Sequence, residues 1–407
     1  MSERPPLHGL RVLDLSRVLA GPLCTMTLSD LGADVVKVER PGIGDETRAW
    51  GPPFTADGES SYFLSTNRGK RSVALDLSTE RGRELALDLA ASSDVVVENF
   101  RAGGLDAMGL GFDVLSERRP GMVLCSISGF GSARSPVDRP GYDFIAQAES
   151  GLMAITGPVD GEPTKVGVAV VDVLAGLQAA AAVLAALRRR DETGEGCHVE
   201  VSLLDSAIAS LVNVVQGAIV TGEEAGRFGS AHPSIVPYQP FEAADGWIAV
   251  AAANDPTFAR LVRAMDLPEL ASDERFESNP GRVRAREELI PVLAARFSEC
   301  GVDAWIEALE SASVPVGKVR GPLDALGAAA DAGDPATFTA RRADGAEVEL
   351  VRSPISLDGQ RAAGAATAPP RLGEHGREVF AGIGVEAETL DELEQAGVLG
   401  RPAASAE

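Results

Sequence analysis

Short apolar runs alternate with stretches of helical spacing through the first half of the chain. Residues 11–15, 35–39, 72–77, 94–99 and 122–128 read as strands. Residues 21–31 read as a helix. So do residues up to Ala91, capped by Ser78 or Thr79 with Glu80 and Glu84 in the early turns. Strand–helix–strand units in series predict an α/β fold on a parallel, doubly wound, Rossmann-like sheet. Residues 166–171 form a further apolar run and read as a buried strand. Residues 173–187, rich in Ala and Leu, read as a helix packed on both sides. A polar loop, 188–196, precedes a strand at 198–202 and a small-residue helix at about 203–220.

The pattern then changes. Residues 221–230 are glycine-rich and charged, which suits a linker. A second α/β unit follows, with strands at 247–252 and 314–319 and helices from about Asp255, Val283 and Ala304. Residues 328–336 are small and flexible in character. Asp344-Gly345, between Phe338 and Ile355, signals a hairpin. Residues 362–370 read as a second linker, 374–399 as two terminal helices, and 401–407 as a frayed tail. With 407 residues the chain exceeds one ordinary core. The expected division is a large domain over 1–222, a smaller inserted α/β domain over 223–330, and a return segment, 331–407, completing the large domain.

Composition narrows the function. The formal net charge is −23, which disfavours nonspecific nucleic-acid binding and obliges a polyphosphate ligand to find a local basic site. Cys24, Cys125, Cys197 and Cys300 form no CxxC pair and read as reduced, mostly buried thiols in a cytoplasmic protein. The opening residues carry no apolar signal core. His8, His198, His232 and His375 show no ligand spacing, so no metal is expected. The apolar stretch 166–187 contains Asp172 and Gln178, which argues against a membrane span. No GxGxxG follows the first strand, and neither a GxxxxGK[ST] loop nor a GxSxG elbow occurs. A dinucleotide enzyme, an NTPase and a serine hydrolase are all disfavoured.

Asp172 is the residue singled out by this pattern, because it stands where the apolar run meets the helix. Burial raises the cost of its charge and the positive helix end lowers it again, a balance suited to an ionised, partly hydrated nucleophile. An ordinary N-cap Asp fits the same place.

An ordered set of segments resembles the class III CoA-transferase family. They are 7–16 (LHGLRVLDLS), 20–22 (AGP), 31–40 (LGADVVKVER), 95–100 (VVVENF), 141–144 (GYDF), the Asp172 junction and 370–375 (PRLGEH). The resemblance implies a two-domain Rossmann-like fold and a homodimer of interlocked chains. It implies an enzyme moving CoA from an acyl-CoA to a carboxylic acid, with coenzyme A as substrate and no tightly bound cofactor. Asp172 matches the family nucleophile, which passes through an aspartyl–acyl anhydride. Positions matching CoA contacts are Leu19, Ala20, Arg40, Leu75, Asn99, Phe100 and Arg101. Ala107 stands where formyl-CoA transferase is basic, and Arg101 or Arg139 could substitute. Tyr142 would line the thioester pocket with Asp143 beside it, and a glycine loop around Gly229 would supply oxyanion donors. The segments 232–238 (HPSIVPY), beginning at His232, and 245–247 (DGW) resemble a branch acting on dicarboxylates, often from succinyl-CoA. Arg48 and Trp50, in 45–50 (DETRAW), would face the acceptor, where an arginine can hold a second carboxylate. Two alternatives stand beside transfer. One is a 2-methylacyl-CoA racemase, whose histidine position is occupied by Tyr142; the other is an inactive CoA-binding module.

Overall fold

The computed structural model describes residues 4–132, 139–342, 345–362 and 367–402. Asp344 of the hairpin signal, residues 363–366 of the second linker and residues 403–407 of the tail lie outside these. Six parallel strands form the main sheet: β1 (Arg11–Asp14), β2 (Asp34–Glu39), β3 (Lys70–Ala74), β4 (Val95–Glu98), β5 (Val123–Ser128) and β6 (Cys197–Ser202). Their spatial order is β3-β2-β1-β4-β5-β6, the doubly wound arrangement that the alternating pattern predicts. Successive residues point to opposite faces, and both faces are apolar. Leu13, Val36, Val73 and Val96 join one core with the helices Glu80–Ala91 and Gly376–Gly382. Val12, Val35, Val95 and Val123 join the other, with Ala20–Asp30 and Val170–Thr193.

Two compact units divide the chain. The first comprises residues 1–152, 166–221 and 336–407; the second comprises 153–165 and 222–335. The stretch 153–165 thus leaves the large domain, an excursion the 1–222 division does not contain. In the second unit, β7 (Tyr238–Ala243), β8 (Gly246–Ala251) and β9 (Val316–Lys318) form an antiparallel sheet. Phe241, Ile248, Phe258, Phe297 and Trp305 pack in its core. In the first unit the return segment seals the β3 edge: Gly373 N–H donates to Ser72 Oγ (2.9 Å) and Gly400 N–H to the Ala74 carbonyl (2.8 Å). The hairpin forms as expected, with Thr337–Arg341 antiparallel to Glu347–Val351.

Three expectations are corrected. Residues 166–171 are not a buried strand: Val168 is 62% exposed, and Val170 already belongs to the helix Val170–Thr193. The reason lies in the hydrogen bonds, since the Val166 N–H goes to the Gln147 side chain (2.9 Å) and not to a strand. The helix expected over 203–220 is two, Leu203–Ser210 and Val212–Thr221, bent by 78° where Val212 takes φ +34°. Much of the small-residue stretch 328–336 is the end of a helix, Pro322–Asp331, because alanine favours helix over flexible coil. The helix Val170–Thr193 is long and apolar enough to cross a membrane by length and composition. Its Ala175, Ala179 and Val183 are buried in the core.

Candidate active site

Winding reverses between β1 and β4, and the crevice beyond their carboxyl ends is where a doubly wound sheet receives ligand. Asn99 closes this corner, accepting from the Arg17 N–H (2.8 Å) and donating to the Arg17 carbonyl (2.7 Å). Its amide is therefore spent on the chain after β1. Phe100 follows with its ring 5.6 Å from the Arg17 guanidinium and its N–H on Glu98 (2.7 Å), a carboxyl that burial pushes up to about 7. Leu19 and Ala20 begin the helix Ala20–Asp30, which packs closely on the helix of Asp172. A Cβ added at Gly176 would lie 2.5 Å from the Ala20 carbonyl oxygen. Gly176→Ala is accordingly expected to push the two helices apart and lower transfer at least ~10-fold, readable in steady-state rates.

Asp172 is the third residue of its helix, not the cap; the cap position is Ala169, which has no side-chain acceptor. The donors at the helix start go elsewhere. Asp143 Oδ1, from the short helix Asp143–Glu149, accepts the N–H groups of Val171 (2.8 Å) and Asp172 (3.3 Å). Asp143 Oδ2 accepts from Gln147 Nε2 (2.6 Å). Gln147 is fully buried and also holds Val166. Asp143 and Gln147 lie one turn apart on one face, so together they clamp the chain entering the Asp172 helix. The Asp172 carboxylate itself accepts no hydrogen bond from the described residues, and its oxygens stay open. Burial, and then the charge of Asp143, push it up to about 7. The sequence expectation had the helix end lowering this value. The structure gives those helix-start N–H groups to Asp143 instead.

Tyr62, in the helix Ser61–Thr66, is the site residue that sequence reasoning missed. Burial pushes its hydroxyl up to about 12, followed by the negative charges of Asp172, Asp143 and Asp45. It therefore stays a neutral donor in the field of these three carboxylates. Trp50 meets it edge-on at 5.1 Å, and Ser60 ties the two together by donating to the Trp50 carbonyl (2.5 Å) and accepting the Tyr62 N–H (3.1 Å). An aromatic two residues past a capping serine carries no sequence signal of such a partner. Gln147 was missed as well, and its place four residues after Asp143 is the signal that could have found it.

Other expected residues fall differently. Arg48 is committed to partners within the fold. Its guanidinium forks onto buried Glu39 (2.7 and 2.8 Å) and lies 3.6 Å from the centroid of the Phe63 ring, so it has no fork left for a substrate. Leu75 is a core residue, its side chain fully buried. Arg139 pairs with Glu149 and stacks at 4.0 Å on Phe130. Tyr142 is 60% exposed just before Asp143. Arg40 and Arg101 are exposed at the ends of β2 and β4. Arg40 adds slightly to the hydrogen bonds from Ser78 that hold Asp76 low. Gly229 (φ +60°) and His232, whose Nδ1 accepts the Ser234 N–H (3.0 Å), belong to the second unit. Among the described residues no cluster could hold a metal ion. A cavity of about 1690 Å³ opens at the amino ends of β1 to β3, and Asp172 is not among its lining residues. Its Arg71 is already paired with Asp34 and Glu378.

The doubly wound sheet and the open Asp172 carboxylate define an α/β protein with a candidate nucleophile. The profile of CoA-transferase family III matches residues 7–376. The chain is 45% identical over 320 residues to succinyl-CoA:glutarate CoA-transferase of Homo sapiens, spanning 79% of this chain and 73% of that one. It is 39% identical over 395 residues to a succinate–glutarate CoA-transferase of Agrobacterium fabrum, spanning 96% and 98%. The solved structure of a CaiB/BaiF family protein from Brucella suis is similar at TM-score 0.83 and 39% identity, covering 94% of this chain and 100% of that one. The chain belongs to CoA-transferase family III, and it is an enzyme that transfers CoA from an acyl-CoA to a carboxylic acid.

Proposed function

We propose that Asp172 is the nucleophile and that the transfer is covalent. The carrying observation is that its oxygens accept no hydrogen bond among the described residues while its neighbour Asp143 takes the helix-end donors. A carboxylate oxygen attacks the thioester carbonyl, the C–S bond breaks, and CoA leaves as thiolate, giving an aspartyl–acyl anhydride. The thiolate then attacks the aspartyl carbonyl, releasing the donor acid and forming an aspartyl-CoA thioester. The acceptor carboxylate displaces the thiolate to give the second anhydride. Attack by that thiolate on the acyl carbonyl yields the new acyl-CoA and restores Asp172. Coenzyme A occupies the crevice by Leu19, Ala20, Asn99 and Phe100, with exposed Arg40 and Arg101 for its phosphates. Incubation with succinyl-CoA and hydroxylamine tests the step: a hydroxamate on residue 172 is expected, and an unmodified peptide under turnover conditions rules the anhydride out.

We infer short dicarboxylates as the carboxylic acids, with succinyl-CoA as donor. The names of the relatives support this, and the neutral Tyr62 hydroxyl beside Trp50 offers the acceptor a donor in place of the committed Arg48. Tyr62→Phe is expected to raise the KM for glutarate about tenfold, near the ~1–1.5 kcal/mol of one hydrogen bond, with the KM for succinyl-CoA little changed. Equal effects on both would remove Tyr62 from the acceptor side. Because Asp172 must be ionised to attack, kcat/KM should fall as pH drops through about 7. Asp143→Asn should move that limb to lower pH, though not to the ordinary Asp range, since burial is the larger cause. A homodimer suits the exposed apolar Ile219 and Val220 on Val212–Thr221, at 70% and 76% exposure.

A further inference from the structure

The chain leaves β1 through Leu15, Ser16 and Arg17 and reaches the helix at Ala20 by way of Val18. Val18 sits at φ +69°. A β-branched residue in the left-handed region is strained, and it persists only where its surroundings over-determine it. Asp45 is the surrounding group. Its carboxylate accepts the Val18 N–H at 3.2 Å on Oδ2 and 3.3 Å on Oδ1. The same carboxylate pairs with Lys37 Nζ at 3.0 Å, with both side chains wholly buried. Lys37 in turn donates to the Ser16 carbonyl (2.8 Å), so two residues of the turn hang on one buried ion pair.

Asp45 also reaches the other way. Its Oδ1 accepts the Thr47 N–H (3.0 Å) and the Thr47 hydroxyl (2.8 Å), opening the 3₁₀ turn Glu46–Ala49. The Trp50 N–H closes that turn on the Thr47 carbonyl (3.2 Å). One carboxylate thus anchors the crevice wall at Arg17–Leu19 and the turn that presents Trp50 to Tyr62.

We propose that Asp45 is a positioning residue of the transfer reaction, holding the strained Val18 turn and the Trp50 turn in fixed relation. It touches neither substrate. The inference rests on reading the switch crevice as the seat of coenzyme A. A glycine at position 18 would reach φ +69° without strain. The chain instead carries a bulky residue and a buried ion pair to restrain it, an arrangement that pre-organises the wall before ligand arrives.

A double-mutant cycle on the full-length protein tests this, reading the Kd for free coenzyme A by calorimetry and the transfer rate in parallel. Asp45→Asn is expected to weaken CoA binding about tenfold, whereas on a Val18→Gly background the same substitution changes Kd less than ~3-fold, because the turn no longer needs restraint. A generally destabilising role would give equal losses in both backgrounds, and that result overturns the proposal. So does an unchanged Kd in the single Asp45→Asn variant. Should that variant fail to fold with Lys37 left unpaired, Lys37→Met with Asp45→Asn removes both buried charges. The pair must show the same loss and the same rescue by Val18→Gly, and absence of either refutes it. Failure of hydroxylamine trapping at residue 172 with the cycle intact would count against the covalent mechanism alone, whereas a native protein that does not bind CoA would sink both.

Discussion

Asp172→Asn is expected to lower CoA transfer by about four orders of magnitude or more while raising the melting temperature at pH 8. Both effects come from one carboxylate placed where a carboxylate is poorly solvated. An amide is uncharged, cannot attack a thioester usefully, and forms no anhydride, so the covalent route is lost. The stability effect follows from proton linkage. Asp172 titrates near 3.8 when free and at about 7 here, so between those values the native state holds a proton that the unfolded chain releases. Stability contributed by this group is therefore full below about pH 4 and falls as pH rises through 7. Above that the native state carries the whole penalty of a buried, repelled charge. The neutral amide escapes it, for a gain of roughly 1–2 kcal/mol once solvent contact at this half-buried position is allowed for. Calorimetry at pH 8 and pH 5.5 should show the larger gain at pH 8. Residual transfer near the native rate would remove Asp172 from the chemistry. A lower melting temperature at pH 8 would show that its charge is not a burden to the fold.

The sheet was legible in the sequence because parallel strands buried on both faces announce themselves as aliphatic runs. Runs such as Val35–Val38 and Val95–Val97 have no other economical reading. The run 166–171 misled for the same reason. Composition cannot tell a strand from a chain clamped by distant side chains, and the clamp here, Asp143 with Gln147, lies about twenty-five residues earlier. Asp172 was legible as an isolated charge among aliphatics, though its local role was not. A capping Asp and a nucleophilic Asp look alike until the helix-end donors are followed to their partner. Arg48 shows the converse limit: an arginine in a polar loop suggests a substrate fork, but Glu39 at the end of β2 claims it. Tyr62 and Asp45 matter through what they meet in space, for which neither has a sequence-local sign.

Asp14→Ala is expected to lower global stability by about 3–5 kcal/mol, the largest loss predicted for any single side chain here. Asp14 ends β1 wholly buried and pairs with Lys70 Nζ at 3.0 Å, itself wholly buried. Burial raises the Asp14 carboxyl, but Lys70, Lys37 and the hydroxyls of Ser16 and Thr25 together hold it down at about 2, so it remains a carboxylate throughout the working range. Its contribution is present above the ordinary 3.8 and lost only as pH falls through about 2. Truncation leaves Lys70 Nζ bonded only to the Pro22 carbonyl and the Asn67 side-chain oxygen, both at 2.9 Å, with no carboxylate in contact and only the more distant charge of Asp45 to offset it. It also removes the shortest acceptor of the Thr25 hydroxyl, Asp14 at 2.7 Å, leaving it the Pro22 carbonyl at 3.1 Å and the Gly21 carbonyl at 3.3 Å. Asp14→Ala with Lys70→Met removes both charges together, and urea unfolding should show most of the loss recovered. Recovery would mean that the uncompensated ammonium, and not the missing hydrogen bonds, is what unfolds the single variant. If the double variant is as unstable as the single one, the hydroxyl bonds from Ser16 and Thr25 are what hold the corner beneath the Val18 turn, and the ion pair is incidental to it.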